Sequence, residues 1–185
     1  MDKYGRLASD NWFDYHRYMH IHDEVLDRFN GHYTTPVNYE HYIYTEKEIH
    51  IGVEIELISG HLVSIDKRAS AKIIKGQLMC QTTNYQYLVS DPVTKFQIRY
   101  DSPHLAGVNF EDWDYQHHRH ETSFAGKKAQ ESVIVYMPFD KPQNISFNKT
   151  YFSKRKGIPF SYKGDPWPQV EDFLKEVVAL NFNEK

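Results

Sequence analysis

From Ile49 to Leu57 the chain alternates without a break, with Ile49, Ile51, Val53, Ile55 and Leu57 apolar and polar residues or glycine between them. A period of two puts every apolar side chain on one face of an extended backbone, so this segment is predicted as a half-buried β-strand. Ser59-Gly60 supplies a turn, and His61 to Asp66 returns as a second strand to make a hairpin. Ala71 to Cys80, Tyr85 to Val89 and Phe96 to Tyr100 read as further strands, with Asn84 and Ser90-Asp91-Pro92 as turns between them. Ser132 to Met137 is a late strand candidate. Short strands joined by short turns imply an antiparallel meander.

The period changes at both ends. Trp12, Phe13, Tyr15, Tyr18, Met19, Ile21, Val25, Leu26 and Phe29 recur with rough helical spacing, Asp10 offers an N-cap and Asn30-Gly31 a stop. Residues 33–44 are aromatic and non-periodic, and Pro36 favours extended backbone before it. At the other end Asp165-Pro166-Trp167-Pro168 opens a second helix, since proline is tolerated in a first turn. Val170, Phe173, Leu174, Val177 and Val178 then fall at i, i+3, i+4, i+7 and i+8, a stripe suited to packing on a sheet. The fold class is therefore α+β: an antiparallel β-sheet meander with a C-terminal helix packed on it and an N-terminal helical extension. Residues 1–48 form the helical and aromatic extension and residues 49–185 the antiparallel α+β domain.

Composition narrows the class of protein. The 185 residues are 40% hydrophobic, 15% aromatic and 25% charged, enough for a core and against wholesale disorder. No apolar run approaches the ~18 residues of a membrane span, and the first residues lack the basic-then-apolar pattern of a signal peptide. A soluble, cytoplasmic protein without membrane contact is expected. The single cysteine, Cys80, excludes an internal disulfide and a cysteine-based zinc site, and its strand-like surroundings suit a buried thiol. A net charge of -3 disfavours indiscriminate nucleic-acid binding. Charge is nevertheless uneven: Lys127, Lys128, Lys141, Lys149, Lys154, Arg155, Lys156 and Lys163 face only Glu131 and Asp140 between residues 126 and 163. Phe147, Tyr151, Phe152, Phe160 and Tyr162 lie among them, a mixture suited either to single-stranded nucleic acid or to a lysine-decorated strand edge.

The chemistry concentrates in Tyr115-Gln116-His117-His118-Arg119-His120-Glu121 and in Arg99-Tyr100-Asp101. Histidine, with an unperturbed pKa of roughly 6.5, serves as acid and base near neutrality. If the two runs are neighbouring strands, His118 and His120 share one face and His117 and Arg119 the other. Arg99 and Asp101 share a face likewise, while Tyr100 points to the opposite side and is expected in the core. Arg119 and Glu121 are expected at the solvated surface. His16 and His20 are four apart, but no acidic residue completes a helical zinc-protease pattern, so packing or surface is the expectation.

These motifs carry a resemblance to a known family. A strand pair around Gly60, then Tyr85-Gln86-Tyr87, Phe96-Gln97-Ile98-Arg99-Tyr100-Asp101, a loop with His104, and His117-His118-Arg119-His120 resemble the TumE-like proteins. Those are small bacterial and archaeal toxin components of toxin–antitoxin pairs, marked by an arginine-tyrosine-aspartate run and a later His-His-(Lys/Arg)-His run before a C-terminal helix. The resemblance covers roughly residues 49–180. Family members are mostly shorter, Ser102 stands where they usually have asparagine, and the basic stretch from Gly126 to Tyr162 is long for the family. The resemblance implies a toxin-like protein acting on RNA, with an antitoxin as partner.

Three mechanisms follow as expectations. In the favoured one, a metal-independent endoribonuclease without cofactor, His118 and His120 take and give the protons. Arg99 neutralises charge building on the phosphorane, and Asp101 orients an imidazole. In the second, a hydrolase, His118, His120 and Asp101 (or His104) hold a divalent metal such as zinc. In the third there is no catalysis, and a basic surface including Lys154, Arg155 and Lys156 binds nucleic acid or a partner protein.

Overall fold

The alternation at residues 49–57 is realised as a strand whose odd side chains are buried, and the same pattern organises the sheet around it. The computed structural model describes residues 12–37, 39–45, 47–102, 117–125, 128–137, 154–159 and 169–180, with backbone alone at 39–45, 117, 125, 132–137 and 154–159. In chain order the strands and α-helices among the described residues are β1 (Phe13–Asp14), α1 (Tyr15–Arg28), β2 (Tyr39–Thr45), β3 (Glu48–Glu56), β4 (Leu62–Ile74), β5 (Gln77–Ser90), β6 (Gln97–Asp101), β7 (His117–Ala125), β8 (Lys128–Met137), β9 (Lys154–Pro159) and α2 (Val170–Ala179), with a short 3-10 turn (Asn30–His32) after α1. β2 to β9 are neighbours in sequence order, and β1 joins separately by pairing with β5. Every pairing is antiparallel except β8 with β9, which is parallel. The fold is α+β, a meander with a helix at each end, as the sequence implies.

Two local readings are corrected. Ala71 to Cys80 is not one strand: the chain reverses at Lys75-Gly76, both in the left-handed region at φ 51° and 79°, between paired Ile74 and Gln77. Such a two-residue reversal matches the right-handed twist of the flanking strands. Asn84, expected as a turn, lies inside β5 at a bulge, where Arg68 pairs with Asn84 but Ala69 with Thr82. The extra residue, Thr83, shifts the inward phase from even (Cys80, Thr82) to odd (Tyr85, Tyr87, Val89).

Both helices share the core with one face of the sheet. Helix α1 begins later than its apolar spacing suggests, because Phe13 and Asp14 pair with Cys80 and Met79 in β5. Its N-cap is Asp14, whose carboxylate accepts from the Arg17 N–H at 3.1 Å; the expected cap, Asp10, lies outside the described residues, as do 165–168. The helix stops just before Asn30-Gly31, as expected. In α2, Gln169 and Asp172 form a reciprocal capping box, and Val170, Phe173, Leu174 and Val177 are buried. Phe173 packs on Tyr87 and Tyr100, each with ring centroids at 5.7 Å. Cys80 is fully buried, and burial pushes its thiol up to about 12. Among the described residues no helix is long and apolar enough to cross a membrane.

Candidate functional site

With the helices on one face, the alternate residues of β3 to β8 are left to the other, and register lines them up in rows. Asp66 pairs with Gln86, Gln86 with Asp101, and Asp101 with His118. The next row runs Ser64, Leu88, Arg99, His120 and Val133. The two runs singled out in the sequence are therefore neighbouring strands, and Asp101 with His118 and Arg99 with His120 are direct cross-strand pairs.

The cluster they build is deeply buried, with Asp101 at 1%, His118 at 0% and His120 at 6% exposure. His118 Nε2 and His120 Nε2 converge on the same oxygen, Asp101 Oδ2, at 3.6 and 3.4 Å. The imidazoles meet edge to face with centroids 5.0 Å apart. Arg99 Nε donates to Oδ2 at 2.7 Å, while its side chain keeps 39% exposure. Gln86 Nε2 donates to Asp101 Oδ1 at 3.0 Å. On the far side of His120, Nδ1 is 2.6 Å from Glu131 Oε1. That hydrogen bond is the main reason the Glu131 carboxyl titrates below its ordinary range. One ligand atom from each of Asp101, His118 and His120 lies within 4.8 Å of the others, so the three could hold a metal ion.

The sequence brought out Arg99, Asp101, His118 and His120 and missed Gln86 and Glu131. Gln86 sits between inward Tyr85 and Tyr87, so its face was readable, but its neighbour was not. Glu131 pairs with Thr122 and reaches His120 diagonally, a relation fixed only by the β7–β8 register. His104 lies outside the described residues. Lys154, Arg155 and Lys156 lie in β9, whose register sets Arg155 opposite Val133 and thus two strands from His120.

The opposite side of β6 and β7 departs from expectation at one residue. Tyr100 is buried in the core as expected, but Arg119 is not solvated: it is 5% exposed. Arg119 Nη2 meets Glu176 Oε1 of α2 at 2.6 Å, its Nε meets Oε2 at 3.3 Å, and Nη1 meets Glu121 Oε2 at 3.1 Å. Tyr100 donates its hydroxyl to the same Glu176. Burial works against the guanidinium's charge, but Glu176 outweighs it and Arg119 titrates above its ordinary range. The helix supplies a carboxylate that the sequence pattern could not assign to a partner.

A cavity of about 370 Å³ lies on the cluster's face of the sheet, lined by residues that include Glu54, Glu56, Leu62, Ser64, Leu88 and Ser90. Leu88 is the cross-strand partner of Arg99, so the cavity adjoins the cluster, and its acids stand on the β3 side. His16 and His20 are exposed on α1, where His20 meets Glu24 at 3.2 Å. Compared with protein-family models, curated proteins and solved structures, the chain matches none.

Proposed function

We propose that the protein cleaves phosphodiester bonds in RNA at the cluster of Arg99, Asp101, His118 and His120. The observation that carries this reading is a partly exposed guanidinium fixed beside two imidazoles and a buried carboxylate. Arg99 spends Nε on Asp101, which orients the planar group and leaves its Nη donors for a phosphate, the geometry an arginine fork matches. A nearby imidazole can move protons at neutral pH, and such general acid–base steps contribute about 10²–10⁴-fold. Charge along the sheet agrees with a polyanion as ligand: Glu54 and Glu56 stand on β3, and on β9, beyond the histidines, Arg155 is in the register row of Val133 and His120, with Lys154 and Lys156 at the alternate positions. The resemblance to TumE-like toxins adds RNA as the substrate class and an antitoxin as partner.

The test is incubation of total RNA with the purified protein and with Arg99→Ala and His120→Gln variants checked for folding. Cleavage by the wild type, reduced at least tenfold in both variants, is the expected result. Intact RNA with folded wild type overturns the reading. RNA bound but uncut, with binding lost on replacing Lys154, Arg155 and Lys156, points instead to a binding module.

A further inference from the structure

We infer that Asp101, His118 and His120 form a binding site for a divalent transition-metal ion of the zinc class, with Glu131 and Gln86 orienting the ligands from behind. The inference concerns the same residues as RNA cleavage but does not depend on that activity; with an ion bound, the two imidazoles would be ligands and would no longer transfer protons.

The tautomer of His120 starts the argument. Glu131 Oε1 is a carboxylate oxygen and can only accept, so at 2.6 Å the proton of the contact belongs to His120 Nδ1. In the neutral ring Nε2 then carries a lone pair, and that lone pair faces Asp101 Oδ2. A cation placed between such a lone pair and a carboxylate oxygen is attracted to both. A proton on Nε2 would draw the pair into a charge-assisted hydrogen bond of about 2.7–2.9 Å. Nitrogen and oxygen donors held about 2.0–2.1 Å from a tetrahedral ion stand about 3.3 Å apart. The separations in the cluster are 3.4 Å for His120 and 3.6 Å for His118.

The rest of the cluster shows that these longer distances are not general looseness. Arg99 reaches the same Oδ2 at 2.7 Å, and Glu131 reaches His120 at 2.6 Å. Among the contacts given above, the two that would flank an ion are the long ones. Charge permits it: with neutral imidazoles, Arg99 on Asp101 and the Glu131 carboxylate on His120 leave one negative charge in excess, and a dication would turn the site to one positive, suited to an anionic ligand.

The donor set selects the kind of ion. Two imidazole nitrogens and one carboxylate suit zinc, cobalt, iron or manganese, whereas magnesium and calcium take oxygen ligands. Three protein ligands leave a position open, as in catalytic rather than structural zinc sites. Glu131 on Nδ1 of one ligand, and Gln86 on the second oxygen of the carboxylate, are the outer partners that ligands of this type use to hold orientation. An ion there would supply Lewis-acid activation of water or of a phosphoryl oxygen, with Arg99 at the rim to receive an anionic substrate.

The experiment uses the full chain, stripped with EDTA, returned to metal-free buffer and titrated with cobalt(II) under visible absorption. The expected result is a d–d spectrum that saturates at one equivalent, is displaced by zinc and is absent from His118→Ala and His120→Ala. Glu131→Gln keeps all three ligands and should bind about 10–100-fold more weakly. This variant also guards against loss of folding, which circular dichroism monitors in every sample. No cobalt spectrum and no zinc-induced rise in melting temperature in folded wild type overturns the inference. So does an unchanged titration in His120→Ala. RNA cleavage that persists in EDTA, with no cobalt bound, removes the metal and leaves the cleavage reading standing. Cobalt bound stoichiometrically with RNA left intact does the reverse.

Discussion

Lys67 is 1% exposed, and its ammonium lies 2.9 Å from Nε2 of buried His22 and 5.2 Å from the centre of the Tyr18 ring. His22 Nδ1 lies 2.7 Å from the Tyr18 carbonyl, which can only accept, so Nδ1 bears the proton and Nε2 receives the lysine's. The imidazole is thus held neutral, its pKa kept well below the usual value by burial first and the Lys67 charge second. A histidine of the unfolded chain takes up a proton below about pH 6.5, and folded His22 does not. Its contribution to stability is therefore complete above that pH and declines as pH falls below it, by up to about 1.4 kcal/mol per pH unit. Urea unfolding between about pH 6.5 and 5 should show a shallower decline for His22→Gln than for wild type; equal slopes would refute the assignment. The same residue scale shows what the sequence exposes. His118 and His120 were legible as a same-face pair because a strand's period is two. Lys67 sits in the inward phase with Val63, Ile65 and Ala69, but a lysine reads as outward by type.

At the scale of elements, the β4–β5 hairpin shows where pattern fails. β3 was legible because one face is buried along its whole length. The long hairpin was not, for two reasons. Its reversal places Lys75 at φ 51° where Asn or Asp usually marks such a turn, and its bulge switches the buried parity midway along β5. A lysine in the left-handed region carries about 1–2 kcal/mol of strain that asparagine relieves by local hydrogen bonding. Lys75→Asn is therefore expected to raise stability by about 0.5–1 kcal/mol, and Gly76→Val, forced to φ 79°, to lower it by about 1–2 kcal/mol. Thermal unfolding of the two variants checks both signs. A destabilised Lys75→Asn would mean that the lysine side chain contributes more than the turn geometry costs. The extended alternation of β7 was likewise expected, yet the depth of its polar residues was not, because burial there depends on both faces of the sheet.

Across the whole molecule, β6 and β7 are gripped from both faces at the same place. On one face Asp101 meets His118 and Arg99 lies beside His120; on the other, Tyr100 and its cross-strand partner Arg119 both bind Glu176 of α2. Each buried partner of the helix carboxylate is thus flanked in sequence by residues of the cluster. This arrangement makes Glu176 a brace for the site as well as a helix anchor. Removing it leaves a guanidinium in the core with half-exposed Glu121 as its remaining carboxylate partner among the described residues. Breaking a fully buried pair costs about 3–5 kcal/mol; Glu176 keeps 29% exposure, so Glu176→Ala is expected to cost less, about 2–3 kcal/mol. Replacing both charges by apolar residues of similar volume, as in Arg119→Met/Glu176→Met, removes the stranded cation and should recover most of that loss. Denaturant unfolding of the single and double variants measures the coupling. If the pair serves stability alone, the double variant regains both stability and cobalt affinity. If Tyr100 and Arg119 must be held by a charged partner to keep β6 and β7 aligned, stability returns but cobalt affinity stays depressed. The second result is expected, because Tyr100 loses its acceptor in the double variant while the strands it joins carry Asp101, His118 and His120, the residues proposed to hold the ion.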